Sequence, residues 1–212
     1  MYLYLLSLLF SLIGILLIRL LYRPTNTDLN TDFIDLKNKS VLFFGPADVK
    51  SAKTCNPLDY DYVVLPNNMC RLFDKQYNNL IIMTNQYFAT HNSDYIISRN
   101  PCGILCTNYT GYRIMNDKLI QKNLNIPIIA CPFPSEWPRN FMGMGSPTSL
   151  PLGLSFFLQF VVTYAPESTV HVTGVTFYDN GEQYMKGYKL LKMGEQHNVK
   201  NDKKFARDLV KK

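Results

Sequence analysis

The sequence predicts an α/β domain with a mostly parallel sheet, carried behind an N-terminal apolar segment. Two patterns predict the domain and one predicts the segment. Short apolar runs recur along the body with helix-length gaps between them, as strands joined by crossover helices do. One longer run, Leu150 to Tyr164, is apolar nearly all round, as a helix packed between a sheet and another layer is. Residues 2–18 carry no charge.

In chain order, residues 1–22 are expected to form a transmembrane anchor. Leu20, Leu21 and Tyr22 extend the uncharged stretch past Arg19 to about the twenty residues a bilayer needs. Arg19 and Tyr22 suit the interface. A cleaved signal peptide is the alternative, but no basic leader and no small-x-small cleavage site is present near residue 22. Residues 23–35 are polar and without period and read as a short stem. Residues 36–212 then form the body. Ser40-Val-Leu-Phe-Phe is a strand stopped by Gly45-Pro46, Tyr62-Val-Val-Leu a second and Leu80-Ile-Ile-Met a third. Ile126 to Ala130 and Thr169 to Val175 supply the fourth and fifth.

The 212 residues leave roughly 180 for the body, enough for one domain with its own core. The balance of 22 Lys+Arg against 16 Asp+Glu gives +6, gathered chiefly at Lys200, Lys203, Lys204, Arg207, Lys211 and Lys212 as a solvated helix face. No basic run interleaved with aromatics occurs, so no nucleic-acid partner is expected. Neither a G-x-x-x-x-G-K-[ST] loop nor a G-x-S-x-G elbow is present. Cys55, Cys70, Cys102, Cys106 and Cys131 permit one or two disulfides and form no C-x-x-C pair. The sequons Asn38-Lys39-Ser40 and Asn108-Tyr109-Thr110 would be usable in a lumenal body, whereas Arg19 and Arg23 after the span favour a cytoplasmic one.

Ligands of parallel sheets gather at the strands' C-terminal ends, and the polar candidates fall there. Gly45-Pro46-Ala47 can bring backbone close to a nucleotide phosphate, or can simply end a strand. Asn67 and Asn85 can offer amides to ribose or phosphate oxygens, or cap loops. Thr148 and Ser149 can cap the apolar helix and bind an anion at the same time. Asp59-Tyr60-Asp61 has the Asp-x-Asp form that holds a metal on a sugar diphosphate, but it precedes a strand, and a turn entering that strand at Tyr62 explains it better. His91 is read in a polar loop, and His171 in the last strand facing a packed layer. Tyr178 and Tyr184 are two phenols six residues apart, followed by His197 in a polar stretch. Two neutral O–H donors can hold a departing phosphate while an imidazole takes a proton from an attacking hydroxyl. Asp202 is read as the N-cap of a final helix.

Together these segments resemble sialyltransferases, chiefly the compact bacterial family and more loosely the animal Golgi family. Gly174-Val-Thr-Phe-Tyr-Asp-Asn-Gly-Glu-Gln-Tyr184 is similar to the family's Gly-x-Asp-Phe-Tyr-x-Asn-Gly-x-x-Tyr, and His197 with Asp202 repeats its His-x-x-x-x-acid pattern. Asp61 to Asn67 resembles a strand end that contacts the donor, and Thr148-Ser149 a donor-binding helix start. The resemblance implies a Rossmann-like single domain of the glycosyltransferase A-like variant. It also implies metal-independent, inverting transfer of sialic acid from CMP-sialic acid to a glycan acceptor. It assigns His197 as general base and Tyr178 and Tyr184 to the leaving phosphate. Gly45, Asn67, Asn85, Thr148 and Ser149 fall to the donor, and Asp202 becomes a structural companion of the base. No cofactor beyond the nucleotide-sugar donor is implied, and the location would be a type II membrane protein with a lumenal body in the Golgi or ER. Gly45-Pro46-Ala47 stands where the family has Gly-Asn-Gly or Gly-Asn-Ser. That difference keeps open a non-catalytic relative that binds a nucleotide or glycan, beside a metal-dependent transferase using Asp59 and Asp61.

Overall fold

In the computed structural model of the chain, residues 34–47, 54–71, 76–130, 153–175 and 199–210 are described. The anchor expected at 1–22 lies outside them, as does the stem expected at 23–35 except for its last two residues. Among the described residues no helix is long and apolar enough to cross a membrane.

Six strands form one sheet: β1 (Ser40–Phe44), β2 (Tyr62–Pro66), β3 (Leu80–Thr84), β4 (Gly103–Cys106), β5 (Ile128–Ala130) and β6 (Thr169–Thr173). Their spatial order is β5-β4-β3-β2-β1-β6, and every neighbouring pair is parallel. Among the described residues four α-helices accompany them: α1 (Gln86–Ser98), α2 (Tyr109–Gln121), α3 (Gly153–Tyr164) and α4 (Val199–Val210). The protein is therefore of the α/β class.

The apolar runs make this sheet because a parallel sheet covered on both faces needs apolar residues at consecutive positions. Leu80 to Thr84 are all buried, as are Val41 to Phe44 and Val63 to Leu65. Period two then divides them. Leu42, Val63, Leu65, Leu80, Ile82 and Ile104 join Phe88 and Ile96 of α1 and Met115 and Leu119 of α2 in one core cluster. Phe43 points to the other face, where its ring stacks on Phe157 of α3 with centroids 5.3 Å apart. On that face Gly153 also lets α3 approach closely, since a Cβ there would stand 3.3 Å from the Met83 methyl.

The chain walks from β1 to β5 in one direction, with α1 and α2 on one face, and returns to the far side of β1 through α3 on the other. A single crossover hand requires that change of face when the direction reverses. The strand order accordingly reverses between β1 and β6, and ligands of such sheets bind beyond the C-terminal ends at that place.

The sheet has one strand more than the five read from the sequence. β4 is only Gly-Ile-Leu-Cys, too short to show a period. β6 ends at Thr173, two residues before the expected Val175, because Gly174 turns the backbone with φ +66°. His91 lies within α1, not in a loop. His171 is exposed on edge strand β6, where its Nδ1 meets the Tyr60 hydroxyl at 2.8 Å, instead of facing a packed layer. Asp202 stands in the first turn of α4, past the helix start, so it is not the cap. Cys55, Cys70, Cys102 and Cys106 are free thiols, so none of the disulfides that the cysteine count permits forms among the described residues.

Candidate functional site

The described part of the site is built where β2, β3 and β4 end. Each end is followed by an asparagine that finishes the strand and starts the next element. Asn85 is the N-cap of α1, its Oδ1 accepting from the Phe88 N–H at 2.8 Å. Asn108 is the N-cap of α2, its Oδ1 accepting from the Gly111 N–H at 2.7 Å. Asn67 opens the short helical turn after β2 with φ +44°, a conformation asparagine tolerates better than most residues. Its Oδ1 accepts from the Asn85 N–H at 3.1 Å. The structure thus brings Asn67 and Asn85 into direct contact.

These bonds fix which way each carboxamide points. A backbone N–H can only donate, so the atom facing it is the oxygen and the amino group faces away. None of the three Nδ2 groups donates a hydrogen bond among the described residues. The C-terminal ends of three adjacent strands therefore carry a row of neutral, uncommitted N–H donors, suited to oxygen-rich ligands. Asn67 is itself held from behind. The Cys70 thiol donates to its carbonyl at 3.0 Å, and the Tyr95 hydroxyl donates to the Cys70 carbonyl at 3.1 Å. Burial pushes the Cys70 thiol up to about 11 and the Cys106 thiol further still. Both therefore stay protonated near neutral pH and serve packing, not nucleophilic attack.

Where the strand order reverses, the backbone closes on itself. The Gly45 N–H donates to the Thr173 carbonyl and the Ala47 N–H to the Gly174 carbonyl, each at 2.8 Å. Pro46 has no N–H to give, so the turn after β1 keeps no free backbone donor. A Cβ on Gly45 would overlap the Gly174 carbonyl and stand 2.5 Å from the Val175 side chain. The space that a glycine gives here is occupied by Gly174 and Val175, just past β6, and not left to a ligand.

Asp202 is fully buried and accepts a short hydrogen bond from the Ser155 hydroxyl, which ties α4 to α3. Asp59 and Asp61 lie at the opposite, N-terminal end of the sheet. The Asp61 carboxylate accepts from the Ser40 N–H at 2.8 Å and the Ser40 hydroxyl at 2.9 Å, and Asp59 accepts from the Asn56 amide at 2.9 Å. The Ser40 N–H, then its hydroxyl, hold the Asp61 carboxyl below the usual range. Tyr178, Tyr184, His197, Thr148 and Ser149 lie outside the described residues. Asn108 was missed as a site residue because β4 was missed; its signal was an Asn-x-x-Gly cap directly after an apolar run. The chain matches no protein-family model, no curated protein and no solved structure.

Proposed function

We propose that the chain is a metal-independent, inverting glycosyltransferase with a Rossmann-like domain of the glycosyltransferase A-like variant, moving sialic acid from CMP-sialic acid to a glycan hydroxyl. One observation carries the reading. Asn67 and Asn85, assigned to the donor from two separate strands, interlock at 3.1 Å and keep both amino groups uncommitted among the described residues. Neutral donors there suit the hydroxyls of a ribose or the oxygens of a phosphate.

In this reading His197 takes the proton from the acceptor hydroxyl, whose oxygen attacks the anomeric carbon of sialic acid from the face opposite the phosphate. The bond from that carbon to the phosphate oxygen breaks and CMP departs with the electron pair. Tyr178 and Tyr184 donate hydrogen bonds to the phosphate as its charge grows. Thr148 and Ser149 seat the donor, and Asp202, tied to Ser155, steadies α4. Residues 1–22 anchor the chain in a membrane with residues 36–212 in the Golgi or ER lumen. The test is CMP release from CMP-sialic acid by the full-length chain, where His197→Ala is expected to slow transfer by about 10²–10⁴-fold. Transfer at an unchanged rate would sink the mechanism.

A second reading, a relative that binds CMP without catalysis, is favoured by the turn Gly45–Ala47, whose N–H groups are spent on the Thr173 and Gly174 carbonyls. Calorimetry with CMP separates the two. Tight CMP binding without donor hydrolysis selects the second.

A further inference from the structure

The sheet ends on one side at β6, whose outer edge pairs with no strand among the described residues. Which of its backbone groups face outward follows from the bonds on its inner side. The Thr169 N–H donates to the Lys39 carbonyl at 2.9 Å, and the Thr173 carbonyl accepts from the Gly45 N–H at 2.8 Å. In a parallel ladder the N–H and C=O of one residue point to the same side, and successive residues alternate. Thr169, His171 and Thr173 therefore turn toward β1, while Val170 and Val172 each turn both backbone groups away from the sheet.

An edge kept apart from other strands usually carries Lys, Pro or a bulge. β6 carries none: residues 168–174 contain no Asp, Glu, Lys, Arg or Pro, and the register with β1 runs unbroken. His171 is the one titratable side chain in that run. The charged residues that flank the strand are already paired, Glu167 at 3.8 Å from Lys37 and Lys39 at 3.9 Å from Asp61. Val172 is 43% exposed, so the open edge is apolar as well as unpaired among the described residues.

The strand is also its own complement. Thr169-Val-His-Val-Thr173 reads the same in both directions. A second copy laid antiparallel, with His171 opposite His171, sets Val170 against Val172 and Thr169 against Thr173. Val170 and Val172 then make the hydrogen-bonded pairs and use every backbone group that the edge leaves outward. The two imidazoles fall on the twofold axis at a non-hydrogen-bonded position, where facing side chains approach most closely. A twofold interface demands such self-complementarity. Each imidazole is held in place beforehand, its Nδ1 meeting the Tyr60 hydroxyl at 2.8 Å with 73° between the ring planes.

We propose that β6 is the interface through which two copies of this chain join, antiparallel about His171, into one continuous sheet. The interface stands apart from the transferase reading. Its size sets its strength: five-residue strands bury well under the roughly 1,200 Å² of a standard interface, so a dimer in the micromolar range is expected.

The test is sedimentation equilibrium of the full-length chain in density-matched zwitterionic detergent, up to about 200 μM. The parent is expected to dimerise reversibly. His171→Glu and His171→Lys each set two like charges face to face on the axis, and each is expected to weaken the dimer at least about fivefold. An equimolar mixture of the two sets Glu against Lys and is expected to return to within about threefold of the parent. Val172→Pro, which removes an outward N–H that β1 does not use, is expected to weaken the dimer at least about tenfold. His171 and Val172 are exposed, so the variants are expected to fold.

A parent that stays monomeric at the highest concentration overturns the proposal. A dimer that both single histidine variants leave intact also overturns it, because the contact then lies elsewhere. Single variants that dissociate and fail to recover in the mixture overturn the antiparallel register about His171, and the proposal with it.

Discussion

At the N-terminal end of the sheet most polar side-chain atoms are spent on the fold, while the buried Asn79 Oδ1 has no hydrogen-bond partner among the described residues. Asp61 receives both the N–H and the hydroxyl of Ser40, the Asn79 amino group donates to the Tyr60 carbonyl at 2.8 Å, and the Cys102 thiol donates to the Leu80 carbonyl at 3.1 Å. All three line an open cavity of about 510 Å³. At the C-terminal ends of β2, β3 and β4, Asn67, Asn85 and Asn108 give only their oxygens to the backbone and, among the described residues, keep their amino groups. Polar residues at strand ends are thus not alike: what separates a structural from a ligand-ready one is how many of its hydrogen-bonding atoms the fold consumes. By that measure the cavity keeps one uncommitted acceptor, the Asn79 Oδ1, against three uncommitted donors on the row of caps among the described residues.

The largest effect is expected where the C-terminal end is sealed. Gly174 combines a left-handed backbone with direct contact on Gly45. Gly174→Val adds a β-branched side chain that both features oppose, with an expected loss above about 3 kcal/mol in urea unfolding. An unchanged unfolding midpoint would show that β1 and β6 do not need this closure.

Next comes the open part of the same end, where Asn85 separates its two tasks. Asn85→Asp retains a good cap and replaces the free amino group by a charged oxygen. Stability is expected to stay within about 0.5 kcal/mol of the parent, while CMP affinity by calorimetry falls at least about tenfold. Asn85→Ala removes both functions and is expected to lose about 1 kcal/mol of stability as well. If Asn85→Asp binds CMP like the parent chain, the contrast between the two ends loses its functional meaning.

The central strands were legible because their apolar runs are continuous, which only a doubly covered sheet demands. β4 was not, since four residues beginning with glycine carry no period, and with it went Asn108, which read as a glycosylation sequon. Asn67 and Asn85 were legible only as a choice between capping and binding a ligand. For Asn85 that choice dissolves: the oxygen caps and the nitrogen remains. The partner of Gly45 was illegible for a different reason. Gly174 lies 129 residues away, and no local pattern announces which two strand ends will meet.

The smallest expected effect tests the spent end. Asp61 has its pKa lowered in the fold by the Ser40 N–H and hydroxyl, with Lys39 at 3.9 Å adding a weaker pull. A carboxyl whose folded value is depressed adds stability that is fully present above its unfolded value, about 3.9. That contribution fades as pH falls through the lower folded value. Thermal midpoints of the parent are therefore expected to drop more steeply than those of Asp61→Asn below about pH 4. Near pH 6 the substitution is expected to lower the midpoint slightly and to leave CMP affinity untouched, because the carboxylate sits at the far end of the sheet from Asn85. Loss of CMP binding in Asp61→Asn would instead return Asp59 and Asp61 to the donor, and with them the metal-dependent route.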